Sequence, residues 1–282
     1  DSSFTLVKQR RPEELHLGIM GPFIKAEVGD TIEVVFKNFA TRDYSIHPQG
    51  LLYNKSNEGM TYNDGTDDSG DGAVSPGQTY TYRWKVPPSS GPGENDPNCM
   101  GSIYHSGTNP VRDTNSGLVG PLVICRKGVL AYDGQRKDQV RSEFALLFSI
   151  LDENRSWYLS KNNQIFAPLA TEQSQEFMES NRKFAINGYL YGNVPSLNAS
   201  VGENIAWYIM ALGTDDDIHT AHFHGHTFIH RASRAHTGDV IEVFPGTYET
   251  VEIFADNPGT WLLHCHLGKH TKDGMIALYT IE

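Results

Sequence analysis

Nowhere in the 282 residues is there the run of about 18 apolar positions that a membrane-crossing helix needs. No leader-type segment is visible either, so the expectation is a mature chain or a piece of one. Basic charge is scarce: 23 Lys and Arg stand against 34 Asp and Glu, for a net charge of −11. That balance excludes nucleic acid as a partner, because binding it requires a basic face. The acidic excess is read as a solubility feature. Cysteine is both rare and odd in number, with only Cys99, Cys125 and Cys265. An odd count leaves one thiol in need of another role. Cys99 and Cys125, both in the first half, are the natural pair. Cys265 stands between His264 and His266, which is a place for a metal ligand. Three Asn-x-Ser sequons, at Asn54, Asn154 and Asn198, point to a secreted, glycosylated chain.

What the chain does have is an internal repeat. Val28-Gly-Asp and the apolar run Ile32 to Phe36 lead to His47, as Val201-Gly-Glu and Ile205 to Met210 lead to His219. Val74-Ser-Pro-Gly is answered by Val243-Phe-Pro-Gly, and Ile103-Tyr-His105 by Leu262-Leu-His264. Such long offsets mean two copies of one domain rather than a solenoid. The segments between turn-rich stretches alternate, or are β-branched and aromatic, as in Thr79 to Trp84 and Glu249 to Phe254. The expectation is an all-β chain of two tandem Greek-key β-sandwich or barrel domains, residues 1–130 and 140–282. The polar stretch Arg126 to Arg141 is the expected linker, and a short helix is expected from Glu172 to Asn181.

The strongest chemical signal is His264-Cys265-His266 followed by His270 and Met275. A soft thiolate, two imidazoles and a weak axial thioether are what a blue-copper site requires. The second imidazole is available in His219-Thr-Ala-His222-Phe-His224-Gly-His226. Alternation along a strand places His222 with His224 on one face, and His264 with His266 on another, opposite Cys265. Cys265 then faces a mononuclear copper, while the four paired histidines line half of a copper cluster. The route between the two is only the backbone from Cys265 to His264 or His266. Zinc is the competing metal; the Met and the His-x-His pairs favour copper.

These residues resemble the multicopper oxidases, in particular the ceruloplasmin and hephaestin branch, to which the A domains of clotting factors V and VIII are related. The resemblance covers the whole chain. It includes Lys37 to Arg42, Asn95 to Cys99, Ser116 to Pro121, Ala185-Ile-Asn-Gly188 and Phe244-Pro-Gly-Thr-Tyr248. It implies tandem cupredoxin domains equivalent to the last two of a six-domain chain, with a Cys99–Cys125 disulfide. By the same resemblance His219, Cys265, His270 and Met275 hold type 1 copper, His222 is a type 2 ligand, and His224, His264 and His266 are type 3 ligands. The activity implied is one-electron oxidation of an Fe2+-like metal ion or small reductant. Electrons would pass to a trinuclear cluster that reduces O2 to water. The remaining cluster ligands would come from another cupredoxin domain of a larger polypeptide, or from a homo-oligomer.

The sequence departs from the family's pattern at several places. In the first domain His47 and His105 stand as residual cluster ligands, but Gln49 and Gly107 occupy the positions of their partners. Glu179 matches an iron ligand, whereas Phe184 and Lys269 replace a His and an Asp of the iron site. The loop from Lys55 to Asp71 resembles a shortened calcium loop, with Asp64, Asp67, Asp68 and Asp71 as oxygen donors. The other reading of the chain is a binding or cofactor module of the A-domain type, or a copper carrier without a complete cluster.

Overall fold

The computed structural model describes residues 3–65, 70–168, 174–213, 217–231 and 235–282. The N-terminal half contributes β1 (Ile24–Glu27), β2 (Thr31–Lys37), β3 (His47–Pro48), β4 (Thr79–Lys85), β5 (Cys99–His105) and β6 (Val119–Cys125), with a short α1 (Pro110–Thr114). The sheet β1-β6-β5-β3 faces a two-stranded ribbon of β2 and β4. The linker closes on itself and then enters a long strand, β7 (Val140–Asp152), so Arg141 belongs to a strand. Arg136 in this stretch is buried, and its guanidinium reaches Asp138 and, at 2.9 Å, Glu252.

The C-terminal half follows with α2 (Leu159–Phe166), α3 (Gln175–Ser180), β8 (Arg182–Ile186), β9 (Asn198–Ala199), β10 (Asn204–Ala211), β11 (His219–Phe223) and β12 (Phe228–Arg231). It ends with β13 (Ala235–Gly238), β14 (Val240–Val243), β15 (Tyr248–Phe254), β16 (Gly259–His264), α4 (Gly268–Lys272) and β17 (Ile276–Ile281). α3 lies within the segment where the sequence predicts a helix and is capped by the Ser174 hydroxyl; α2 has only a weak apolar stripe, which gives the sequence no helical signal there.

Two sheets, β15-β10-β7-β8 and β14-β11-β16-β17-β9, enclose the larger core. Every residue of β10 after Asn204 is buried, as befits a strand flanked on both sides and covered on both faces. Trp207 sits at the centre, with Phe144, Phe223 and Tyr279 rings 4.8, 5.1 and 5.5 Å away.

The repeat seen in the sequence is a repeat of pairings. β2–β4 matches β10–β15, β3–β5 matches β11–β16, β5–β6 matches β16–β17, and parallel β6–β1 matches parallel β17–β9. One pairing is not repeated. β10 has β7 along its second edge, whereas β2 has only β4 among the described residues. Ile32, Val34 and Phe36 of β2 therefore stay half-buried and line an apolar cavity of about 790 Å³.

A second core joins the halves. Leu17, Met20, Ile103, Val119 and the Cys99–Cys125 disulfide pack against Val140, Leu147, Tyr208 and Met210. Gly101 permits this approach, because a Cβ there would come within 2.8 Å of the Tyr208 side chain. Its N–H donates to Thr250 Oγ1 at 2.9 Å.

Candidate metal centre

β16 carries Leu263 and His264 into the core and ends there, so Cys265 begins the turn that follows. That turn is locked at both ends: Cys265 N–H donates to Met275 O at 3.1 Å, and Met275 N–H to His270 O at 2.9 Å. α4 presents His270, β11 opens with His219, and all four residues, Met275 included, are buried. The donor atoms converge. His219 Nδ1 and His270 Nδ1 are 3.2 Å apart, and Cys265 Sγ lies 4.0 and 3.6 Å from them. A circle through three such atoms has a radius of ~2.1 Å, within the roughly 2.0–2.3 Å of a transition-metal bond to nitrogen or sulfur. Two imidazoles and one thiolate at the corners of a small triangle fit copper, with Met275 buried in the same cluster.

Electrostatics prepare these donors. Burial pushes the Cys265 thiol up, but hydrogen bonds from His219, His270 and the Thr220 and Leu267 backbone outweigh it and hold the pKa at about 6. The sulfur is therefore a thiolate at neutral pH, the form that binds metal. His219 is raised: burial opposes charge, but Asp217 and Cys265 together prevail. Asp217 Oδ1, held by the Ile150 N–H at 2.7 Å, lies 3.4 Å from His219 Nε2, so a fixed carboxylate charge faces the edge of the ring opposite the Nδ1 that points into the site.

A second group stands on the other side of the Cys265 backbone. His222 and His264 are directly opposed across β11 and β16. His264 Nε2 is 3.2 Å from His222 Nδ1 and 3.2 Å from His224 Nε2, a second potential metal site. His266 stacks on His264 at 5.5 Å and lies 5.1 Å from His222. β11 ends at Phe223 and β16 at His264, so His224 and His266 lie just past the strand ends. The rings still gather on one side. Burial and the neighbouring imidazoles lower the pKa values of His222 and His264, which keeps both neutral and able to bind metal. His264 Nδ1 is 2.9 Å from the Cys265 carbonyl, so one residue touches both groups.

Sequence reasoning missed Asp217, and also Asp239, whose Oδ2 is 3.4 Å from His222 Nε2. Nothing in the sequence distinguishes these from other loop carboxylates. His226, last of the histidine run, is not near the donors: its Nδ1 pairs with Tyr279 Oη at 2.8 Å inside the core.

The remaining candidates are placed as follows. His47 and His105 face each other across β3 and β5, with the Gln49 amide 3.4 Å from His105 Nε2. Glu179 on α3 is exposed and 4.0 Å from Arg182. The Phe184 ring packs on His270 at 4.9 Å, and the Lys269 ammonium sits 4.1 Å above that ring while pairing with Asp273 at 2.6 Å. Of the calcium loop, the Lys55 ammonium already bonds Glu58 and Asp64, and Asp71 accepts the Gly59 N–H at 2.9 Å. Asp67 and Asp68 lie outside the described residues. Asn54 and Asn198 are exposed, whereas Asn154 is half-buried, its amide nitrogen bonded to Asp152 and Met178.

Comparison with known proteins agrees with this chemistry. The multicopper oxidase family matches twice, over residues 17–128 and 160–282. Mouse hephaestin is 47% identical over 100% of this chain and 24% of its own length. Mouse ferroxidase HEPHL1 is 45% identical over the same share of this chain, and human ceruloplasmin 42%. The chain thus spans about a quarter of the length of these relatives. Among solved structures, a multicopper oxidase superposes with a TM-score of 0.63 at 18% identity, covering 93% of this chain and 78% of that one. A blue copper oxidase from Nitrosomonas europaea gives 0.60 at 22%, covering 93% and 76%; at such identities the likeness establishes the cupredoxin fold alone. With family matches over most of its length and these relatives along all of it, the chain belongs to the multicopper oxidases.

Proposed function

We propose that this chain is the electron-accepting and electron-relaying unit of a multicopper oxidase, built from domains at residues 1–130 and 140–282. His219, Cys265, His270 and Met275 hold a type 1 copper. His222, His224, His264 and His266 hold half of a three-copper cluster, which another cupredoxin domain of a larger polypeptide, or a second copy, completes. The overall reaction is one-electron oxidation of an Fe2+-like ion or small reductant, coupled to reduction of O2 to water. The ferroxidase name of one relative supports iron as the reductant. The location is extracellular, with glycans at Asn54 and Asn198.

Copper supplies the one-electron chemistry at these donors. The chain's own residues do the rest. Burial of His219, Cys265 and His270 keeps water from the site. Asp217 sets a carboxylate charge against the His219 ring, and the Phe184 ring fixes the outer face of His270. Cys265 is peptide-bonded to both His264 and His266, and its carbonyl meets His264 Nδ1 at 2.9 Å. This direct link between two metal-ready groups is the observation that carries the reading.

The test is visible absorption of the copper-loaded protein. An intense thiolate-to-copper band is expected, lost in Cys265→Ser and retained in His266→Asn. If Cys265→Ser keeps the band, the assignment is wrong. Oxygen uptake driven by Fe2+ in the full-length protein, absent in His266→Asn, would establish the relay.

A further inference from the structure

We propose that Tyr279 and His226 are a pair of positioning residues for His224, which aim its imidazole at His264 by holding the His224 backbone carbonyl. The inference rests on the reading of His222, His224, His264 and His266 as half of a copper cluster. Within the run from His219 to His226, only His226 belongs to neither group of converging donors, yet it is buried at 5% exposure.

The need for such a pair lies in where His224 stands. β11 ends at Phe223, and the chain turns at Gly225 with a φ of +74°. His224 keeps one backbone bond to β16, from its N–H to Leu262 O at 2.9 Å. Its carbonyl leaves the ladder and is met by Tyr279 of β17, whose hydroxyl donates to it at 2.5 Å. With both backbone polar groups held, the direction of the His224 Cα–Cβ bond is set, and its Nε2 comes to 3.2 Å from His264 Nε2. The Tyr279 ring is itself fixed. It is 1% exposed, packs 5.5 Å from Trp207 and 6.1 Å from Phe223, and opposes Trp261 across the β16–β17 ladder. Trp261 also backs the turn, because a Cβ on Gly225 would come within 2.7 Å of its indole. A donor locked in this way holds its acceptor without first having to be ordered.

Counting protons gives His226 its part. A carbonyl only accepts, and a phenol has one proton, so the Tyr279 proton is committed to His224. His226 Nδ1 lies 2.8 Å from the same phenol oxygen and therefore donates to it, which puts the ring proton on Nδ1. The other tautomer would set a lone pair against that oxygen. In either tautomer Nε2 stays buried without a partner among the described residues. A buried unsatisfied nitrogen is costly. A side chain that served only to fill space would not need to carry that cost. The donor from His226 keeps the phenol oxygen turned so that its own proton points at His224.

The experiment begins with NMR of the metal-free chain, labelled with 15N and 13C at histidine. The wild type should show His226 protonated on Nδ1 and a nuclear Overhauser contact between the His224 and His264 rings. Tyr279→Phe removes one hydroxyl and keeps the ring against Trp207 and Phe223; it should lose that contact. In the copper-loaded full-length protein the same variant should bind cluster copper at least about tenfold more weakly, with the blue band at Cys265 unchanged. His226→Gln, which keeps an N–H donor, should retain the ring contact, and His226→Leu should weaken it. The proposal is overturned if Tyr279→Phe leaves both contact and copper count as in the wild type, or if wild-type His226 is protonated on Nε2. Loss of the blue band along with the cluster copper would show a general structural role and also overturn it. Should Tyr279→Phe fail to fold, His226→Leu against His226→Gln decides. A wild type without cluster copper would sink the oxidase reading instead, and the ring contact would still judge the pair.

Discussion

At Cys265 the decisive quantity is the thiolate fraction. Its pKa of about 6 predicts a copper affinity that is flat above that pH and falls up to tenfold per unit below it, as protons compete for the sulfur. The charge-transfer band followed from pH 8 to 4 at fixed, limiting copper would show this. Band intensity unchanged down to pH 4 would contradict a proton-competed sulfur. Asp217→Asn should weaken copper binding by about 10–100-fold with little change in fold, since it removes the negative charge that faces His219 while keeping an oxygen for the Ile150 N–H. Equilibrium copper competition would measure it. The grouping of these side chains was legible in the sequence because Cys265, His270 and Met275 are close along the chain and their residue types are chemically distinctive. Asp217 was not. It lies in an acidic run, and only the fold shows that its carboxylate caps Ile150 and turns toward His219.

Strands tell a similar story. β10 and β15 were readable from their β-branched and aromatic composition, and β16 from the apolar run before His264. The register that opposes His222 to His264 was not, because pairing depends on which face the rest of the sheet buries. Trp207→Ala should destabilise the C-terminal half by about 3–5 kcal/mol, the usual cost of removing a large buried aromatic, as read by urea unfolding. The β2–β4 ribbon should behave in the opposite way. With one edge unpaired among the described residues and an apolar cavity beneath it, its amides should exchange with solvent well before those of β10. Hydrogen exchange with residue resolution would decide; equal protection of β2 and β10 would show that the ribbon is as stable as the larger sheet.

The two halves behave as one molecule because they share a core, and His16 is part of that junction. It lies at 1% exposure beneath β7, accepts the Ala145 N–H at 3.3 Å, and offers its carbonyl to Asn187 Nδ2 at 2.7 Å. Burial depresses its pKa from 6.5 to about 4. The folded state therefore resists a proton that the unfolded chain accepts. Stability is fully present above pH 6.5, declines as pH falls toward 4, and levels off below that, for a total loss of about 3 kcal/mol from this group. Chemical denaturation at a series of pH values should show that decline, and His16→Gln should flatten it. The junction was invisible in the sequence, where His16 is one histidine among twelve in a polar leading segment.

The pairing of sulfurs also bears on how the protein survives under oxidising conditions. Cys99 and Cys125 occupy opposed positions of a single ladder rung, fully enclosed at the junction, and Cys265 is sealed inside the other half. The lone thiol thus has no sulfur within reach to exchange with, and no exposed face to present to another chain. Air-oxidised protein should remain free of scrambled or intermolecular crosslinks, ready to accept its metal long after synthesis.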